Sequence, residues 1–296
     1  MKNILPNFFI VGAAKAGTTS LYYYLKQHPQ IFLSKLKEPH YFSKINYDKC
    51  RGIIPFVEDW GSYLKLFKKV RSEKAIGEAS VSYLCHQGTA SRIAKKIPNA
   101  KIIIILRNPI DRIFSHFLMD IREGRLCSDS NFISTVLSDY QKTEKKIWGN
   151  SNLFIECGMY YEQVKDYLEV FGKDKVIVLM FEDFILSRKR VLDSVFKFLD
   201  VYLKDDINID RQFNAFAIPK NSYFKKIYNN YRIRKIGSTI VPDKYKEIVK
   251  QIFIKRGNKP QIFNSNKKKL IELYKDDIKK TANLIGRDLS SWYSNE

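Results

Sequence analysis

The stretch Gly12-Ala13-Ala14-Lys15-Ala16-Gly17-Thr18-Thr19-Ser20 packs small residues, one lysine and three hydroxyls into a single short segment. Small side chains let a backbone wrap closely, so successive N–H groups can turn inward, and a helix starting at the end of the segment adds partial positive charge. Such a segment is suited to cradle an anion. A nucleotide kinase loop reads GxxxxGK[S/T], with lysine directly after the second glycine; here that position is Thr18 and the lysine has moved inside the loop, to Lys15. A lysine placed there suits a shorter anion than a triphosphate. The second chemical position is Arg107, directly after the run KIIIIL, where many metal-dependent phosphate-loop enzymes carry an aspartate. An arginine grips phosphate with a planar fork and does not bind a metal. Both departures point away from metal-assisted chemistry.

Positioning these residues requires strands and helices in a particular order. The apolar run Asn7–Gly12 reads as a strand, the loop follows, and Ser20–Gln27 has helical spacing. Lys101–Leu106 is continuously β-branched and bounded by Pro98-Asn99 and Asn108-Pro109, as expected of a strand buried on both faces of a parallel sheet. Ala75–Gly77 reads as a short strand, Ser91–Lys96 as the end of a helix, Tyr160–Phe171 as an amphipathic helix and Lys175–Met180 as a strand. Strands alternating with helices imply a doubly wound parallel α/β sheet of the P-loop type with right-handed crossovers. The remainder is helix-rich, with helical spacing over Arg188–Leu199, Tyr223–Ile233, Tyr245–Arg256 and Lys267–Ile285. No repeat or linker divides the chain, and residues 1–296 read as one domain.

Composition narrows the function classes without choosing one. A net charge of +21 and a pI near 9.6 attract polyanions: nucleic acid, anionic lipid, acidic glycan or a multiply phosphorylated nucleotide. The lysine pairs and triplets of the last third, Lys225-Lys226 and Lys267–Lys269, read as solvated helix faces. Aromatic residues make up 14% of the chain, far from a disordered composition. Cys50, Cys85, Cys127 and Cys157 form no CxxC pair, which argues against a zinc knuckle or dithiol redox site, although four cysteines could make two disulfides in a secreted chain. The apolar run at Phe8–Val11 is too short for a signal-peptide core, so reduced cysteines and a cytoplasmic location are expected. Two alternatives stay open on the residues alone. One is a metal-dependent P-loop small-molecule kinase; the other is a nucleic-acid-binding protein whose basic surface is its function.

Four blocks together resemble the sulfotransferases that use 3′-phosphoadenosine 5′-phosphosulfate (PAPS), in particular the carbohydrate branch with the heparan sulfate enzymes and bacterial relatives. FFIVGAAKAGTTSLYYYL (Phe8–Leu25) is similar to that family's 5′-phosphosulfate loop. KEPHYFS (Lys37–Ser43) resembles the segment carrying the catalytic glutamate, and GEASVSYL (Gly77–Leu84) the GE-x-(S/T)-x-x-Y segment lining the cleft. IIIILRNPIDRIFSHF (Ile102–Phe117) resembles the 3′-phosphate-binding block. Weaker similarity continues through Gly158–Phe184 and Leu284–Tyr293, so the likeness covers most of the chain. There is no match to the RKGxxGDW segment that closes over the nucleotide in the small-molecule branch; Pro219–Ser222 (PKNS) is the candidate for that place.

The resemblance implies a sulfuryl transfer that needs no metal. Lys15, with Ala16, Gly17, Thr18, Thr19 and Ser20, is expected to hold the 5′-phosphosulfate, and Arg107 and Ser115 the 3′-phosphate. Glu38 is the implied general base, its pKa raised by burial beside Tyr41 and Phe42, and His40 orients Glu38 or bonds the acceptor. Arg112 reads as a solvated helix residue or a second anion contact. The implied acceptor is a hydroxyl or amine of a glycan, glycolipid or other small molecule. Nucleic acid is not an implied partner, and the charge admits peripheral contact with an anionic membrane.

Overall fold

In the computed structural model the described residues are 4–43, 45–50, 54–123, 125–127, 129–143, 146–148, 150–210, 217–219, 254–256 and 260–294. The core is a five-stranded sheet of β1 (Phe8–Gly12), β2 (Ile31–Leu33), β3 (Ala75–Ala79), β4 (Lys101–Leu106) and β5 (Val176–Met180). Its order is β2-β3-β1-β4-β5 and every pairing is parallel. Parallel strands need helical crossovers, and helices on both faces leave the central strands no solvent side. All of β1 is buried, and so are Ile102 to Leu106 of β4, which explains their unbroken apolar sequence.

The helices follow in chain order: α1 (Thr18–Leu25), α2 (Tyr47–Cys50), α3 (Trp60–Lys65), α4 (Ser82–Cys85), α5 (Thr89–Lys96), α6 (Pro109–Arg122), α7 (Phe132–Tyr140), α8 (Tyr160–Phe171), α9 (Phe181–Leu186), α10 (Arg188–Phe198) and α11 (Asn264–Ile285). Helix α8 packs on β4, β5 and α5, and α11 packs on α8 and α6. Asn108 caps α6 by accepting from the Ile110 N–H at 3.0 Å, with Pro109 in the first turn. A glycine is required at Gly77, where an added Cβ would meet the Phe8 ring at 2.5 Å.

The expected α/β sheet is present, with one strand more than the sequence reading supplied. That strand, β2, is only Ile31–Leu33, too short to show a period. Helix α1 begins at Thr18, two residues before the expected start, because Gly17 in the left-handed conformation ends the loop there. The helical reading of Tyr245–Arg256 fails at its end. Ile254–Arg256 is a strand paired antiparallel with Ala217–Pro219, and ladder pairing overrides the local spacing. Tyr223–Ile233, residues 245–253 and residues 220–222 of the PKNS segment lie outside the described residues. Lys268 and Lys269 are exposed on α11, as expected of a solvated face.

Candidate active site

The carboxyl ends of parallel strands open onto a crevice where the chain leaves β1 for one side of the sheet and later returns on the other. A cavity of about 780 Å³ lies there. Lys15, Gly17, Thr18, Thr19, Ser20, Glu38, His40, Arg107 and Ser115 all line it, although they come from four separate segments. Ala16 is the exception. Its side chain is buried in the core and its N–H donates to the Ala13 carbonyl at 3.2 Å, so it braces the loop from behind.

The loop turns twice through left-handed backbone, at Lys15 (φ 69°) and Gly17 (φ 88°). Burial and the nearby Arg122 lower the Lys15 pKa to about 8, and its ammonium contacts the Met119 thioether at 3.3 Å. Arg107 is fixed on two sides. Its Nη1 donates to the Lys15 carbonyl at 2.9 Å, and its guanidinium lies 4.4 Å from the centre of the Phe181 ring. Tyr160 Oη donates to the Arg107 carbonyl at 2.8 Å.

Across the cavity, Glu38 and His40 also have left-handed backbone, with φ of 64° and 52°. Side-chain-bearing residues hold such geometry at a cost of about 1–3 kcal/mol each, and it persists where the surroundings fix it. Here the surroundings are β3 and α4. The Glu38 N–H donates to the Ala79 carbonyl at 2.8 Å, and the His40 N–H to Ser80 Oγ at 3.2 Å. Of the five non-glycine residues with positive φ among the described ones, three are Lys15, Glu38 and His40. Strain is therefore concentrated where the chemistry was expected.

Electrostatics corrects one expectation. Burial alone would raise the Glu38 pKa, but Lys37, His40 and Lys15 outweigh it and hold the carboxyl below its ordinary value. Lys37 forms a direct ion pair with Glu38. Tyr41 and Phe42 do not wall the carboxylate in apolar surface: Tyr41 stacks on Tyr63 at 4.7 Å and Phe42 packs edge-on to Phe9 at 5.8 Å. Burial does raise the pKa of Glu78 in the GEAS segment, to about 7. It is wholly buried behind the cavity, accepting from Tyr63 Oη at 3.1 Å, Tyr83 Oη at 2.6 Å and Ser80 Oγ at 2.7 Å. Its place is structural, and from that segment Val81 is what reaches the cavity wall.

Arg112 is neither solvated nor on the cavity. It is fully buried, donating to the Phe154 carbonyl and facing Tyr274, Cys157, Tyr160 and Cys85. All four cysteines are free thiols.

The sequence reading missed much of the wall. Phe181, which lies against Arg107, and Trp148, which lies against His40, both line the cavity, as do Tyr24, Phe184, Lys49 and Asn150. Asn46, directly before α2, clasps the chain around Trp148: the Asn46 N–H donates to the Trp148 carbonyl at 2.9 Å, and Asn46 Nδ2 to Asn150 Oδ1 at 2.9 Å. Trp148 also stands edge-on to His40 at 5.4 Å. FEDF (Phe181–Phe184) sat inside the weaker similarity; Trp148 gave no local signal.

Fold and cavity define a phosphate-loop protein arranged for group transfer at an anion. Residues 5–283 match the family model for the sulfotransferase domain, and the chain belongs to that family. A sulfotransferase crystal structure from Alicyclobacillus acidocaldarius is 29% identical with a TM-score of 0.75, covering 98% of this chain and 100% of that one. Human carbohydrate sulfotransferase 15 is 27% identical over 251 residues, 67% of this chain and 44% of that protein. The mouse sulfotransferase SULT7A1, solved in complex with PAP, shares the fold at a TM-score of 0.50 and 15% identity, covering 92% of this chain and 84% of that one. The chain spans less than half the length of the curated relatives it matches.

Proposed function

We propose that this protein transfers a sulfuryl group from PAPS to a hydroxyl or amine of a glycan, glycolipid or other small acceptor. The carrying observation is the convergence of three strained residues, Lys15, Glu38 and His40, on one cavity together with Arg107. A neighbour of the same fold was solved with PAP, which supports the nucleotide, and a relative's name, carbohydrate sulfotransferase, supports the acceptor class.

The residues fit an anionic nucleotide. Lys15 is desolvated and lies beside Arg122 and Arg107, so an incoming anion restores the charge that burial disfavours. Thr18, Thr19 and Ser20 bring hydroxyls and first-turn amides of α1 to the same cavity. Bound there, PAPS supplies the sulfuryl group and a phosphate as leaving group.

Lys15 meets the negative charge that develops on that phosphate, while Arg107 and Ser115 grip the 3′-phosphate. Glu38 is ionised at neutral pH, the form a base needs, and takes the acceptor's proton as the new bond to sulfur forms. Its lowered pKa costs basicity, so the ion pair with Lys37 sets the strength of the base. His40 stands behind Glu38 as a neutral imidazole, its pKa lowered by burial to about 4.

Incubating the protein with labelled PAPS and a panel of neutral and acidic glycans, glycolipids and phenols tests the reading. Mass spectrometry should find an acceptor heavier by one sulfuryl group. A protein that binds neither PAPS nor PAP overturns it.

A further inference from the structure

Behind Glu38 runs a chain of side chains that the activity above does not by itself require. His40 Nε2 lies 3.7 Å from Glu38 Oε2, and His40 Nδ1 is 2.6 Å from Ser82 Oγ. Ser82 Oγ is in turn hydrogen-bonded to Ser43 Oγ. His40, Ser43 and Ser82 are all buried, so no bulk water completes these contacts.

We propose that the Glu38 carboxylate selects the Nε2–H tautomer of His40 and that Ser82, backed by Ser43, is the positioning residue that donates to the bare Nδ1 and holds the ring so that its N–H faces Glu38. This rests on the reading of Glu38 as the base.

Ser82 has one hydroxyl hydrogen and two hydrogen-bonding neighbours, and a neutral imidazole has one N–H and one bare nitrogen. Two arrangements satisfy the chain. In the first, Ser43 donates to Ser82, Ser82 donates to His40 Nδ1, and the imidazole proton sits on Nε2 facing Glu38. In the second, His40 Nδ1–H donates to Ser82 and Ser82 donates to Ser43, which leaves the Nε2 lone pair facing a carboxylate oxygen. Two acceptors then oppose each other at 3.7 Å beside a negative charge. Glu38 is held as the carboxylate by the Lys37 and Lys15 charges, so the first arrangement is favoured. The 3.7 Å separation is longer than a hydrogen bond and closes with a small rotation of either side chain, as catalytic contacts commonly tighten on binding.

Ser82 is at the start of α4, and Ser80, which accepts from the His40 N–H, donates to Glu78 at 2.7 Å. The imidazole is thus fixed at its backbone through Ser80 and at its ring through Ser82. Its remaining freedom is the choice of tautomer.

Histidine ¹⁵N NMR reads that choice without any substrate. The protein has four histidines, and the His40→Gln spectrum identifies the His40 signals. The expected wild-type pattern is a protonated Nε2 and a hydrogen-bonded bare Nδ1. Ser82→Ala should keep the proton on Nε2 and move the bare Nδ1 signal to its unbonded position, Ser43→Ala should leave both signals near wild type, and Ser82→Thr should restore the hydrogen-bonded Nδ1. A wild-type His40 with its proton on Nδ1, or an Nδ1 signal that Ser82→Ala leaves unchanged, overturns the inference. If Ser82→Ala does not fold, the wild-type spectrum decides it by the site of the proton and the hydrogen bonding of the bare nitrogen. In turnover, Ser82→Ala should lower kcat about 5- to 10-fold, the scale of one net hydrogen bond, with PAP affinity unchanged and Ser82→Thr recovering. If the wild type sulfates no acceptor, the proposed activity falls, and the tautomer measurement still decides the role of Ser82.

Discussion

Arg107 Nη1 donates to the backbone carbonyl of Lys15 at 2.9 Å, so the cation that follows β4 braces the left-handed turn that holds the other cation of the cavity. The Phe181 ring beneath Arg107 leaves the guanidinium little freedom to leave this carbonyl. The two cations form one unit, and the effects of replacing both are expected to be non-additive.

Arg107→Ala should therefore act in two ways. Loss of a charge-assisted contact to the 3′-phosphate, about 1.5–3 kcal/mol, predicts a roughly 10- to 100-fold weaker PAP complex. Adenosine monophosphate, which lacks that phosphate, should lose much less. Calorimetric affinities for the two nucleotides check this. An equal loss for both would mean that Arg107 acts only by bracing the loop.

Glu38→Gln keeps the shape of the side chain and removes its ability to take a proton. Turnover should fall by about 10²–10⁴, the usual value of a general base, while PAP binding stays near wild type. Near-wild-type kcat on a confirmed acceptor would place the base elsewhere, with His40 the first residue to test.

Lys15 gives the pH dependence. Its pKa in the free protein is lowered to about 8, and a bound anion favours its charged form. PAP affinity should be insensitive to this group below about pH 7 and fall as pH rises through 8, where binding must recruit a proton. The stability of the free protein runs the other way. Between about 8 and the ordinary value of 10.5 the unfolded chain holds this proton and the folded one does not, so the contribution of Lys15 to stability rises with pH across that window. Lys15→Arg, charged throughout, should remove the break near pH 8 in binding curves followed by fluorescence or calorimetry. Lys15→Ala should weaken both binding and turnover.

Gly17→Ala tests the loop geometry itself. Gly17 has φ 88°, and an added Cβ would lie 3.0 Å from the Phe181 ring. Left-handed strain of about 1–2 kcal/mol plus this crowding should lower the melting temperature and reduce PAP affinity together. Thermal denaturation with and without PAP separates the two, because a purely local loop change leaves the free protein's midpoint almost unmoved.

The sheet was legible where burial forced a continuous pattern, as in KIIIIL and FFIVG, and illegible where three residues sufficed, as in Ile31–Leu33. The phosphate loop was legible because its lysine, glycine and hydroxyls are local. Glu38 was found through its block, but its charge environment was not, because adjacent Tyr41 and Phe42 turn into the core and leave Lys37 beside the carboxylate. Trp148 reaches the cavity through a backbone contact with Asn46, a hundred positions away, and no local spacing records such a meeting.

The clasp of Asn46 on Trp148 and Asn150 separates two jobs within one cavity. Lys15 and Arg107 stand at sheet strand ends, and Glu38 is pinned to β3, whereas the wall near Trp148 is the short α2 and connecting chain, off the sheet. Those connections can be lengthened, shortened or exchanged without moving the strands, as surface connections generally can. Transplanting residues 45–57 and 146–152 from a relative should therefore carry that relative's acceptor preference into this scaffold while the nucleotide affinity stays where it was, making the acceptor wall an interchangeable cassette.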